Sequence, residues 1–143
     1  MSVKTFVDSN VLIYAHDVDA PKHTIAKGIL RELWSERSGT LSPQVLQEFY
    51  VNVTRKIPSP LSKPSARAVV DAYSIWCVDT TPAEISAAFR IEDEAHIGFW
   101  DALIIAAARK AGADRILSED LNAGQIISGV RIENPFSRQP SDE

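Results

Sequence analysis

Three aspartates occupy one kind of position in this chain. Asp8 closes the apolar run Val3 to Val7, Asp120 follows the run Arg115 to Ser118, and Asp101 opens the most apolar stretch, Ala102 to Ala108. A carboxylate at a strand end or helix start can be exposed without breaking a core, and strand ends are where open α/β sheets bind ligands. Each has an ordinary reading as well: Asp8 as a turn or cap residue, Asp101 as an N-cap. Asp101 is the least comfortable of the three. An ionised carboxylate against a helix that wants burial needs a partner, a cap or a cation. A fourth acid, Glu48, falls on the side of Gln44 and Asn52 at about 100° per residue, away from Phe49 and Val53, so periodicity alone gives it a solvated face.

Several carboxylates without His or Cys suit hard cations such as Mg²⁺ and Mn²⁺, which prefer oxygen ligands. Such carboxylates repel one another when no cation is present and become favourable once divalent ions bind. The reaction best served is hydrolysis of a phosphodiester, in which metal ions activate water, neutralise the phosphate and stabilise the leaving oxygen.

Composition narrows the class. The chain has 143 residues, enough for one ordinary domain with a real core. Fifteen basic residues against 19 acidic give a net charge of −4, which argues against a general polyanion binder. RNA stays open as a substrate, since bound cations would invert the sign of a local acidic pocket. The single cysteine, Cys77, allows no internal disulfide and no cysteine cage, and reads as a small core residue. The N-terminus carries no signal-like apolar run, and Ala102 to Ala108 is too short to span a bilayer, so a cytoplasmic protein without membrane contact is expected.

The elements that must position the acids follow from pattern. Val3 to Val7 reads as a strand, with Ser9 or Asn10 capping a short helix from Val11 to Ala15. Apolar residues at Ile25, Ala26, Ile29, Leu30, Leu33 and Trp34 predict an amphipathic helix from Lys22 to about Arg37, stopped by Ser38-Gly39. Thr40-Leu41 is a brief strand at best. Ser42-Pro43 is a capping hydroxyl before a proline at the first helical position, opening a helix to about Lys56. After the proline-broken loop 57–63, Pro64 opens another helix to about Ser74. Ile75 to Val78 reads as a second substantial strand. A helix from Pro82 to about Ile91, a polar segment 92–98, and a buried helix from Phe99 to Gly112 follow. Arg115 to Ser118 and Val130 to Ile132 close the set of strands. Strands alternating with helices predict an α/β fold: a single-domain three-layer sandwich over residues 1–136, with a mostly parallel sheet of four to five strands and helices on both faces. The polar tail 137–143 reads as disordered.

In this arrangement the chain resembles the PIN-domain ribonucleases, and among them the VapC-type toxins of bacterial toxin–antitoxin pairs. Four segments carry the resemblance: Asp8-Ser9-Asn10-Val11-Leu12-Ile13-Tyr14, Ser42-Pro43-Gln44-Val45-Leu46-Gln47-Glu48-Phe49, Trp100-Asp101-Ala102-Leu103-Ile104, and Leu117-Ser118-Glu119-Asp120-Leu121 with Gly124-Gln125 and Asn134-Pro135-Phe136 beyond. Each motif is modest alone; their order and joint occurrence make the resemblance specific. It implies that Asp8, Glu48, Asp101 and Asp120 hold Mg²⁺ or Mn²⁺ and carry catalysis. It implies support from Asn10 and Ser118, with Glu119 auxiliary or outward-facing. It also implies an RNA substrate, a small antitoxin partner, self-association as a homodimer, and a PIN-like sheet. On this point it overrides the wheel argument for Glu48, which can face a groove rather than the core.

Two other classes compete. Phosphoryl transfer through an aspartyl-phosphate is disfavoured by Asn10, where that chemistry wants a second Asp. An α/β binding module with a degraded site is disfavoured by retention of all four acids. His16-Asp17-Val18-Asp19 with His23 fits no metal spacing and reads as a loop. His96 reads as structural, with contact to RNA the sharper alternative. Arg55, Lys56, Lys63 and Arg67 read as ordinary surface, and Trp34, Trp76 and Trp100 as core rather than base-stacking platforms.

Overall fold

A computed structural model of the chain describes residues 3–137. The expectation for the tail therefore falls, apart from Ser137, outside the described residues. Strand β1 (Thr5–Val7) leads into α1 (Ser9–His16) and α2 (His23–Glu36). Strand β2 (Gly39–Thr40), α3 (Pro43–Arg55), α4 (Lys63–Tyr73), α5 (Pro82–Ala95) and α6 (Phe99–Lys110) follow. Strands β3 (Arg115–Leu117), β4 (Ile126–Ile127) and β5 (Val130–Glu133) complete the elements of the described residues. The sheet order is β2-β1-β3-β5-β4, parallel except for β4 against β5. The expected mostly parallel α/β sheet is borne out.

Thr5, Phe6 and Val7 are all fully buried, although neighbouring strand residues point to opposite faces. Both faces of β1 are therefore covered, as a parallel sheet requires. From β1 the chain moves to one side to make β2, then returns past β1 to make β3. That reversal leaves a crevice at the carboxyl ends of β1 and β3, the topological position at which open α/β sheets bind ligands. Phe6, Leu12, Phe49, Ile105, Ile116 and Ile132 fill the core beneath it. Helix α6 is buried from Ile104 to Ala108, as its apolar composition predicts.

Several local expectations are corrected. Asp8 itself, not Ser9 or Asn10, caps α1: its Oδ1 accepts from the Ser9 N–H at 2.8 Å. Residues Ser74–Trp76 form a 3₁₀ turn rather than a strand, and only Cys77 bridges to Leu41. The Trp76 ring seats against Gly39, where an added Cβ would lie 2.7 Å from ring atoms, and this packing overrides the β-propensity of Ile75 to Val78. Helix α5 runs through the polar segment to Ala95 and stops at His96, which takes the left-handed conformation. Strand β4 was not anticipated; it pairs with β5 across Ser128-Gly129, both at positive φ, a tight two-residue turn. Trp76 is buried as expected, but Trp34 and Trp100 are exposed.

Candidate active site

The crevice at the ends of β1 and β3 opens into a cleft of about 440 Å³ lined by Asp8, Ser9, Gln44, Glu48, Trp100, Asp101, Ile104 and Asp120. All four acids singled out in the sequence thus border one space, and no basic side chain is among the lining residues. They arrive from four elements. Asp8 ends β1, Glu48 lies on α3, Asp101 sits in the first turn of α6, and Asp120 follows β3.

Asp8 is the most enclosed. Its Oδ2 accepts from the Ser118 hydroxyl at 2.7 Å and lies 3.5 Å from Asn10 Nδ2. Burial strips water from this carboxylate and pushes its pKa up to about 6; the bonds from Ser118 and Ser9 pull down, and the nearby charges of Glu48 and Asp120 push up. Asp101 is raised as well, first by burial and then by Asp120. Gly98 is the cap of α6, so Asp101 is not an N-cap.

Asn10 ties the cleft together. Its Nδ2 reaches Ser118 Oγ and Asp120 Oδ2, each at 3.2 Å, and its Oδ1 accepts from the Glu119 N–H at 3.2 Å. Ser118 Oγ in turn accepts from the Asp120 N–H at 3.1 Å. The loop after β3 is therefore held to α1 by side chains as well as by the sheet. Glu48 lies beside Gln44 and Asn52, as its periodicity indicates, but that side of α3 meets the cleft. Its carboxylate accepts from Ser9 Oγ at 3.2 Å and Gln44 Nε2 at 3.1 Å.

Glu119 turns away from the cleft. The Tyr14 hydroxyl and the Lys22 ammonium both donate to its carboxylate. Burial would raise its pKa, but these bonds outweigh burial and hold it below the usual range. The Glu119 carboxylate in turn pushes Tyr14 up to about 12. His96 is exposed and does not line the cleft. Gln44 and Ser9, which the sequence offers only as a neighbour of Glu48 and a candidate cap, also line the cleft. Gln44 was detectable, since it precedes Glu48 by four residues on one helix face.

Among the described residues, no three His, Cys, Asp or Glu side chains are already grouped so as to hold a metal ion. Carboxylates of like charge keep apart when nothing of opposite sign lies between them. The donor set nonetheless fits a hard divalent cation. It offers four carboxylates, two of them (Asp8 and Asp101) with pKa raised by burial and by acidic neighbours, and a lining without a competing base.

The family model of the PIN domain matches residues 5–126, most of the chain. This chain is a PIN-domain protein. Its fold recurs in solved structures of toxin–antitoxin proteins. VapC20 of Mycobacterium tuberculosis, described as a sarcin-ricin loop cleaving toxin, aligns at 20% identity and a TM-score of 0.62, over 82% of this chain and 92% of that one. A chain of a toxin–antitoxin complex from Klebsiella pneumoniae aligns at 16% identity and a TM-score of 0.69, over 94% and 100%. One from DNA-bound VapBC of Salmonella typhimurium gives 21% identity and 0.63, over 94% and 99%. At these identities the likeness is one of fold. No curated protein matches the sequence.

Proposed function

We propose that this PIN domain, spanning residues 1–136, is a metal-dependent endoribonuclease and the toxin of a type II toxin–antitoxin pair. The observation that carries the proposal is the convergence of Asp8, Glu48, Asp101 and Asp120 on one cleft without a base among its lining residues. The PIN family match and the toxin folds it resembles support the same reading.

In this reading the four carboxylates hold Mg²⁺ or Mn²⁺. Such an ion, when bound, supplies Lewis acidity and neutralises phosphate charge. The rest is done by the chain. Ser118 and the Ser9 N–H orient Asp8, Asn10 spaces Asp120 from Asp8, and Ser9 with Gln44 orients Glu48. Hydrolysis forms a bond from water oxygen to phosphorus and breaks the bond from phosphorus to the 3′ oxygen, which leaves with a proton. The products carry a 5′-phosphate and a 3′-hydroxyl.

A small antitoxin that covers the cleft, and a homodimer as the working state, belong to the same proposal. So does a cytoplasmic location. No helix of the described residues is long and apolar enough to cross a membrane. An aspartyl-phosphate mechanism gains nothing from a cleft lined without lysine.

The test is cleavage of structured RNA by the purified protein. Mg²⁺ or Mn²⁺ should be required, EDTA should abolish activity, and Asp8→Asn or Asp101→Asn should abolish it with the fold intact. Full activity in either variant, or in EDTA, would falsify the mechanism. A short reading frame for a DNA-binding protein next to the gene is the expected mark of the antitoxin.

A further inference from the structure

Trp100 contradicts the rule that a tryptophan in an apolar helix belongs to the core. It occupies the second position of α6, one residue before Asp101, and is 67% exposed. It is absent from the hydrophobic core, while its neighbour Phe99 packs against that core. The Phe99 ring meets the indole edge to face at 5.1 Å and supports it. Gln44 Nε2, which donates to Glu48, also lies 3.4 Å from the Trp100 carbonyl and ties its backbone to α3. An aromatic ring is thus fixed at the wall of the acidic cleft with most of its surface in water.

The electrostatics explain why such a ring is useful there. A polyanion commonly gains affinity by pairing phosphates with Lys and Arg. This cleft offers four acids and no such side chain, and the whole chain is net negative. Cations held by the acids could grip one phosphate, but they supply nothing to its neighbours. Stacking on an aromatic ring is sequence-tolerant, needs no positive charge, and strengthens binding by about 5- to 100-fold per base. Resting on the nuclease reading, we infer that Trp100 is a stacking platform for one unpaired nucleobase adjacent to the phosphate in the cleft. A base can reach the ring only where it is not paired in a duplex.

The experiment measures binding apart from cleavage. A fluorescent RNA hairpin and a panel of its single-abasic variants are titrated by anisotropy in Ca²⁺ against wild type, W100F and W100A. Wild type should lose affinity at one abasic position by about 5- to 100-fold. W100A should bind the intact hairpin weaker by a similar factor and show no further loss at that position. W100F should fall between them. Equal affinities for wild type and W100A would overturn the inference. So would a W100A loss that is the same at every abasic position, which marks a structural role. Unchanged RNA affinity together with a weakened hold on the cognate antitoxin would assign the ring to a protein contact and overturn it as well. Trp100-dependent binding without cleavage in Mg²⁺ or Mn²⁺ would sink the nuclease reading alone.

Discussion

The Ser118 hydroxyl donates to Asp8 Oδ2 at 2.7 Å, joining the ends of two strands 110 residues apart in sequence. The bond favours the charged form of a carboxylate that burial pushes towards neutrality. Ser118→Ala removes it. Asp8 should then titrate higher still, and Mn²⁺ affinity should fall by about 10- to 100-fold, the usual cost of losing a partner that orients a metal ligand. Calorimetric titration with Mn²⁺ checks this, and an unchanged affinity would contradict it.

Asp8 also makes stability depend on pH. It titrates near 3.8 in the unfolded chain and near 6 in the folded, metal-free protein. Between these values the folded state binds more protons, so Asp8 costs stability as pH rises through that window. The cost reaches on the order of 3 kcal/mol by neutral pH. Metal-free Asp8→Asn should therefore be more stable than wild type at about pH 7, by roughly 1–2 kcal/mol once imperfect substitution is allowed for, with the difference closing towards about pH 4. Thermal melts in EDTA across this range measure it. A difference that stays constant or grows on acidification would contradict the assignment.

Neighbouring acids at 119 and 120 should separate cleanly. Asp120 lines the cleft, whereas Glu119 is engaged by Tyr14 and Lys22. Asp120→Asn should abolish RNA cleavage. Glu119→Gln should retain most of it and lose about 1 kcal/mol of stability or less, because the Lys22 pair is partly exposed. Cleavage assays and denaturant melts on both variants decide the matter.

Trp76 on Gly39 offers a test of the fold around β2. A methyl group at residue 39 would stand 2.7 Å from the indole ring. Gly39→Ala should cost about 1–3 kcal/mol, as overpacking does, read as a lowered midpoint in urea.

The acids were legible because each stands where a regular pattern ends or begins, and such places are marked by residue type. Glu48 was half legible. Helical spacing gave its face and the resemblance implied a groove there, but spacing by itself carries no sign of the packing of α3 beside α1 that turns this face to a cleft rather than bulk water. Trp100 was misread for the opposite reason. Its helix is apolar and buried, but one side of the first turn, Trp100 and Asp101, faces the cleft while Phe99 and Ala102 face the core, and periodicity does not register where a core stops. The strand assigned to Ile75–Val78 failed because β-propensity is local while the Trp76–Gly39 contact is not. Strand β4 is two residues long, too short for any alternation to appear.

The measurement that bears most directly on the account is crystallographic: anomalous diffraction from crystals grown with Mn²⁺, recorded at the manganese edge. A peak should appear in the cleft within ligating distance of carboxylate oxygens from Asp8, Glu48, Asp101 and Asp120, and be absent in Asp101→Asn crystals. Anomalous density only elsewhere on the molecule, or none at saturating Mn²⁺, would contradict it.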